Sequence, residues 1–516
     1  MTPKSTLDDR PGGDVRGPGA DSESRSLLAN SGAMVAGRIL TAVLGWAGSV
    51  VIARSLSPDD WGRYSFVFGL LGVLSLVTDL GVGRVVLARL TGASCEESRR
   101  VAGSFILLRF VLGLIGFAVA VAYAAITGMS TELVAVVAFA AIGVVLATPA
   151  NALMVLYQAR LRLVTITVWD AVAHIVQLTL VLIVARTAPS LVWFIVPVLA
   201  KELTVLVARA AGVLRGRLGP RPVFSAGTAY WGEMLREAVP ISIGFALIML
   251  LTKVDILILQ RLDTFESVGM YAIGYKFSDL VIMVAVTISV PFTTVLVRAW
   301  PDDDETFRQR TRQAMIIAGV LGLLAVVGFW PTADFFVGLL YGERFVEAAG
   351  TAQLLVLASA LSGATNIGLV ALIAARKLTV FPWVAAGGVL LNVALNLVAI
   401  PRWSYEGAAA ATLVTEALVF VSVLLLVQRS IGIRGVVPWG PLVRLALLAA
   451  AVVAPSVVLI TYSAWPWLPV VLGSLLVFLL LAELSDSLEG VSLIGRVLPP
   501  FIGRRFVDSG CNGKGS

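Results

Sequence analysis

Apolar residues run through this chain in long blocks, and polar residues gather in the short stretches between them. The alternation of a half-buried strand is absent from the blocks. A run of about 20 predominantly apolar residues is what a helix needs to cross the hydrocarbon core of a bilayer. Fourteen such runs lie at roughly 32–53, 62–83, 102–127, 132–156, 164–186, 190–212, 238–260, 269–297, 314–334, 350–375, 379–400, 407–428, 441–463 and 467–485. Lone Gly and Pro inside them are tolerable, because neighbouring helices can satisfy the freed backbone groups. The predicted fold class is an all-α polytopic membrane protein of about fourteen transmembrane helices.

The charge pattern orients these spans. Every second connector is basic: Arg84, Arg89, Arg99 and Arg100, then Arg160 and Arg162, then Arg209, Arg215, Arg217, Arg221 and Arg236. The series continues with Arg298, Arg308, Arg310 and Arg312, with Arg376 and Lys377, and with Arg429, Arg434 and Arg444. With both tails, that side holds about 28 of the 39 Lys and Arg residues, against about six in the other connectors. Positive charge stays cytoplasmic, so an even span count places both termini inside and the protein in the cell's inner membrane.

Composition agrees. Charged residues are 14% of the chain and hydrophobic ones 58%, where soluble domains carry about 25% charged. The net charge of +7 is spread between spans rather than clustered on one face, which argues against nucleic acid as partner. Cys95 and Cys511 both fall in expected cytoplasmic segments, so no disulfide framework is expected. Residues 1–29 are rich in Pro, Gly, Asp and Ser and read as a disordered cytoplasmic tail without a signal peptide. The expected organisation is an N-lobe at 30–212, a cytoplasmic linker at 213–237, a C-lobe at 238–428, a helix pair within 429–487 and a tail at 488–516 that could form an interfacial helix.

Two lobes are expected because the chain partly repeats. Gly62–Tyr64 matches Gly269–Tyr271 at an offset of 207, and VLAKELTV around Glu202 matches LVTEALVF around Glu416 at 214. A six-helix duplication gives parallel repeats, and transporters so built bind substrate between the halves.

The same stretches carry a family likeness. ARSLSPDDWGRYSFV at 53–67, TDLGVGRVVLARL at 78–90, LMVLYQARLR at 153–162 and KVDILILQRL with VGMYAIGYKFSDL within 253–280 resemble the polysaccharide transporter and oligosaccharide flippase branch of the multidrug/oligosaccharidyl-lipid/polysaccharide exporter superfamily. LLYGERFVEAAGTAQLLVLAS at 339–359 and LLNVALNLVAIPRWSYEGAAAATLVTE at 390–416 extend the likeness over roughly residues 30–430. The resemblance implies two six-helix lobes, an added helix pair, a V-shaped cavity and transport of polyprenyl-pyrophosphate-linked sugars. It also implies membrane lipid, polysaccharide polymerases and glycosyltransferases as partners.

No phosphate-cradling GxxxxGK[ST] loop occurs, and His174 is the only histidine, so no nucleotide, multi-histidine metal site or other cofactor is expected. Ionisable groups inside spans are the informative residues, because each costs about 2.5–3.5 kcal/mol at a helix centre on insertion scales. Arg38, Arg109, Lys253, Asp255 and Lys276 are candidate cavity residues for an anionic headgroup. Arg38 sits beside the small residues Thr41, Gly45 and Gly48; its alternative, shared by Arg109, is to snorkel to the interface. Asp255 is within reach of Lys276 on the next helix, while Lys276 and Asp279 can pair locally. Asp170, His174, Glu202, Asp279 and Glu416 are candidate coupling or relay groups. Asp170 and His174 share a face with Gln177, as a proton relay or a plain interhelical hydrogen bond. Asn392 and Asn396 read as helix glue or sugar ligands, and Ser57-Pro58-Asp59-Asp60 as the cap of the next helix.

These features favour a lipid-linked oligosaccharide flippase. A cation-coupled multidrug antiporter of the same superfamily is the alternative, and a membrane glycosyltransferase or polymerase lacks the sizeable outer loop it needs. On this topology, a reporter fused after Arg376 reads cytoplasmic and one after Asp263 reads periplasmic. An outer label reaching Arg310 overturns the span count.

Overall fold

A computed structural model describes residues 20–92, 94–160, 162–215, 221–251, 253–462, 466–485 and 487–488. Among these residues every regular element is helical. The first half comprises α1 (Ala20–Ser55), α2 (Pro58–Asp79), α3 (Val82–Gly92), α4 (Cys95–Ile126), α5 (Thr131–Ala159), α6 (Leu163–Thr187) and α7 (Ile195–Leu214). The second comprises α8 (Trp231–Leu251), α9 (Val254–Leu262), α10 (Phe265–Ala299), α11 (Asp304–Phe329), α12 (Ala333–Tyr341), α13 (Ala349–Ala374) and α14 (Phe381–Ile431). The pair α15 (Trp439–Tyr462) and α16 (Trp467–Leu484) packs on α11.

The helices start where polar caps allow. The Ser57 hydroxyl accepts from the Asp60 amide at 3.1 Å, as expected of that segment. Ser94, Ser130, Thr264 and Asp303 cap α4, α5, α10 and α11 in the same way. α14 is two helices joined at Ser404, whose φ of 51° turns the chain back; Gly407 then lies against Ala399 and Ile400. The two expected spans at 379–400 and 407–428 are the two arms of this hairpin.

Ten helical stretches are long and apolar enough to cross a membrane among the described residues, one of them the whole α14 hairpin. The chain is therefore a multi-pass membrane protein. Expected spans also fall on α2, on α7 and on the broken pair α8–α9, none of which is among those ten. α1 begins at Ala20, so residues 20–29 of the expected tail lie on this helix; Ser24–Ala29 (SRSLLA) holds no helix breaker. The expected interfacial helix at 488–505 lies outside the described residues, apart from Leu488. The linker folds back on α4: the Val223 amide donates to Arg99 O at 3.0 Å and the Ser104 hydroxyl to Gly227 O at 2.7 Å.

The halves meet where α2 crosses α10. Gly62 and Gly269 face each other at the crossing. A Cβ on Gly62 would lie 1.6 Å from the Phe265 carbonyl oxygen, and one on Gly269 2.5 Å from that of Pro58. Glycine lets two helix backbones approach this closely. Around the crossing, Trp61, Phe66, Tyr271 and Phe345 are fully buried in a core shared by both halves. Gly62→Ala is expected to destabilise the purified protein by roughly 1–3 kcal/mol, an overpacking cost. Gly72→Ala, on the same helix with open space around it, is expected to leave the unfolding temperature unchanged or slightly higher. Equal behaviour of the two variants removes the crossing as a tight contact.

Candidate functional site

α2 ends in a left-handed turn, with φ of 41° at Leu80 and 59° at Gly81, before α3 resumes. The turn opens a crevice of about 640 Å³ between α2–α5 and α8. Thr78, Asp79, Arg84, Arg109, Asn151 and Gln158 give it polar walls, and Val239 and Ala246 of α8 face them.

Arg109 anchors this crevice. Its Nη1 donates to the carbonyls of Thr78 at 2.7 Å and Asp79 at 2.9 Å, and to the Asp79 carboxylate at 2.7 Å. A guanidinium thus caps the carbonyls at the end of α2, where the helix dipole is negative. The Arg109 side chain is 4% exposed and that of Asp79 is 68% exposed, so the ion pair has a buried cation and a carboxylate facing the crevice. Arg109 therefore does not snorkel; partners on two other helices hold it inside the lobe.

A second buried arginine changes the reading of α6. Arg209, expected in a basic connector, lies inside α7 at 3% exposure. Its Nη2 donates to the Asp170 carboxylate at 2.6 Å and its Nη1 to Ala150 O at 3.0 Å. The His174 ring nitrogen Nδ1 lies 2.7 Å from the backbone oxygen of Asp170, not from its carboxylate. That oxygen accepts, so Nδ1 carries the proton there. The carboxylate–imidazole contact expected between Asp170 and His174 is thus not formed, because the guanidinium has taken the carboxylate. Arg109 and Arg209 reach the backbone on either side of Pro149, at Thr148 and Ala150.

In the second half, Asp255 is fully buried and does not reach Lys276. Its carboxylate accepts from Tyr271 at 2.8 Å, Tyr275 at 3.2 Å, Thr412 at 2.9 Å and Asn396 at 3.0 Å. Asn396 also bonds the Asn392 side chain at 3.0 Å. Four neutral donors fill the lone pairs of the carboxylate without adding a positive charge. The carboxylate, amide and hydroxyl oxygens here suit a proton or a hard cation as counter-charge. Lys253 caps α9 and places Nζ 5.3 Å from the Tyr275 ring centre. Lys276 adjoins that tyrosine in sequence, and its charged neighbours are Asp279 and Lys253.

The remaining expected residues are dispersed. Arg38 is exposed, and the small residues beside it are covered by α6: Gly37 meets Thr167, Gly45 meets His174 and Gly48 meets Leu178. Glu202 pairs with Lys201 at 2.9 Å, Glu416 accepts from Ser362 at 2.5 Å, and Asp279 is exposed. Tyr271, Tyr275, Thr412 and Arg209 were not expected in these clusters. The four-residue spacing of Tyr271 and Tyr275 was the available signal, since it puts both hydroxyls on one face.

One end of the crevice is tied by charge. Arg89 on α3 meets Glu237 at 2.6 Å and Glu233 at 2.9 Å, both on α8. The hydrogen bond from Arg89, and then its charge, hold the Glu233 carboxyl below its ordinary range. Its contribution is complete above the ordinary carboxylate pKa and is lost as pH falls through the lowered value.

The chain is thus a membrane bundle of apolar helices whose two halves meet at a close backbone crossing beside a polar crevice. The chain matches the family described as polysaccharide biosynthesis protein over residues 27–297, and it belongs to that family. Its fold is similar to that of the lipid II flippase MurJ, solved in an inward closed conformation, with a TM-score of 0.71 at 12% identity over 88% of this chain and 98% of the other. It is also similar to an inward-facing multidrug resistance MATE family transporter, with a TM-score of 0.63 at 14% identity over 76% and 94% of the two chains. The Vibrio cholerae MATE transporter VcmN in its bent form gives 0.52 at 15% identity over 80% and 98%. No curated protein sequence matches the chain.

The tie predicts a gate-like response. In a background with Cys95 and Cys511 replaced by Ser, a spin label at Asn151→Cys reports on the crevice. Arg89→Glu is expected to raise its mobility, and adding Glu237→Arg to restore it. In the parent, mobility rises as pH falls through the carboxylate range. Unchanged mobility in Arg89→Glu removes the tie from crevice closure.

Proposed function

We propose that the protein flips a polyprenyl-pyrophosphate-linked oligosaccharide from the cytoplasmic to the outer leaflet by alternating access, for cell-surface polysaccharide synthesis. The observation that carries this reading is the polar crevice between the halves, with Arg84 and Arg109 on its wall, in a member of the polysaccharide biosynthesis family. A pyrophosphate headgroup cannot enter hydrocarbon unaided, and guanidinium forks match its oxygens. Fourteen spans in two parallel six-helix repeats, with both termini cytoplasmic, complete the proposal. The equivalent starts of α2 and α10, 207 residues apart and crossing at their glycines, support the repeat.

Coupling is assigned to the second half. Asp255, held by neutral donors, takes up a proton or a hard monovalent cation, and Lys253 and Lys276 meet the substrate nearby. Polymerase and glycosyltransferases act before and after this step, and the chain itself is not an enzyme. Drug antiport is the second reading, because the exposed Asp79 carboxylate would attract a cation. Arg109 already neutralises that carboxylate, so a cationic drug would have to displace a buried guanidinium.

Expression in a host lacking its oligosaccharide flippase tests both readings. Restored surface glycan supports the flippase; resistance to cationic dyes without glycan supports the antiporter. Lys276→Gln is expected to cut glycan export severalfold at normal membrane abundance. Arg38→Lys is expected to weaken export and Arg38→Ala to nearly abolish it. Full activity of Arg38→Ala removes Arg38 from the path and leaves it an interfacial residue.

A further inference from the structure

A groove of about 830 Å³ runs between α6 and α7, away from the crevice. Its α7 side is a stripe of Leu203, Val207, Ala211 and Arg215, four residues apart and so on one face. Its α6 side is Arg162, Thr165 and Trp169. Arg162 precedes the first residue of α6 and Arg215 follows the last of α7, so both cations sit at the same end of the antiparallel pair. Trp169 lies two turns along α6, about 10 Å deeper at 1.5 Å per residue.

The groove faces out of the bundle. α1 covers α6 along Thr167, His174 and Leu178. Thr165 and Trp169 lie two residues to either side of Thr167, which turns them roughly 160° from that contact. Leu203 is 49% exposed and Val207 58%. The chief packing partners of α6 and α7 are α1, α5 and each other, all in the first half.

A groove apolar along its length and cationic at one end is complementary to an amphiphile with an anionic head. The paired guanidiniums suit a phosphodiester at the interface, the Thr165 hydroxyl and Trp169 indole suit the ester region, and the Leu203–Val207 stripe suits an acyl chain. We infer that this groove is a binding site for an anionic glycerophospholipid of the surrounding bilayer, separate from the path of the transported substrate.

Native mass spectrometry of the purified full chain tests this, with added phosphatidylglycerol or phosphatidylcholine as probe. Phosphatidylglycerol is expected to be retained about tenfold better, as two interfacial cations allow. R162Q/R215Q is expected to abolish the preference. Ala208→Trp, which fills the groove and leaves both arginines in place, is expected to lower phosphatidylglycerol retention severalfold. Equal retention of the two lipids, an unchanged preference in R162Q/R215Q, or unchanged retention in Ala208→Trp overturns the site. Displacement of bound phosphatidylglycerol by a polyprenyl phosphate at equal concentration also overturns it, by placing the groove on the substrate path.

Discussion

The close approach of α2 and α10 at Gly62 and Gly269 is the contact on which the arrangement of the halves depends. Two backbones can come that near only where neither helix carries a side chain. With Cβ positions inside van der Waals range of facing carbonyls, the crossing fixes how closely α2 and α10 approach. The crevice lined by Asp79 and Arg109 lies beside that contact, within α2–α5, and is bounded on its far side by α8. The large aromatic residues around the crossing make it a broad apolar seal rather than a point contact. The polar crevice is thus bounded by apolar packing on one side and by the Arg89–Glu237 tie on the other.

Inside the halves, one constraint decides where charge goes. Hydrocarbon offers no hydrogen bonds, so a buried ionisable group must bring its partners with it. The two halves meet this differently. The first uses arginine–carboxylate pairs, Arg109 with Asp79 and Arg209 with Asp170, each also tied to backbone carbonyls. Those pairs are electrically closed. The second surrounds Asp255 with hydroxyls and an amide, which satisfy its lone pairs and leave its charge uncompensated by any close cation among the described residues.

Much of the fold was legible in the sequence because lipid as solvent makes the signal long. An apolar run of 20 residues announces a helix whatever it packs against, and each expected run overlaps a helix. The ionisable residues were equally visible, but their partners were not. Asp170 and His174 are four apart on one helix, and that spacing suggested a pair. The residue that claims Asp170, Arg209, lies 39 positions away on another helix. Likewise Asp255 looked poised for Lys276, whereas Thr412, 157 residues distant, reaches it through the hairpin at Ser404. Local spacing reports neighbours on one helix; it is silent about which face of the next helix arrives. The glycines of the crossing were legible as a repeat but not as a contact, since nothing in a repeat says that its copies touch.

The difference between the halves has a consequence for mechanism. A closed ion pair costs several kcal/mol to break without replacement, because one charge is left buried. Arg109 and Arg209 are therefore fixed posts, each held by a carboxylate and by backbone carbonyls. Asp255 is different in kind. Its partners among the described residues are hydroxyls and an amide, not a salt bridge. Those groups come from α10 and from both arms of the α14 hairpin, while Asp255 itself sits on the short helix after the α8–α9 break. Any change of charge at Asp255 is felt by three elements at once. One of them, α10, is the helix that carries Gly269 and makes the crossing with α2. The tyrosine hydroxyls that hold Asp255 and the glycine of the crossing thus lie on a single helix.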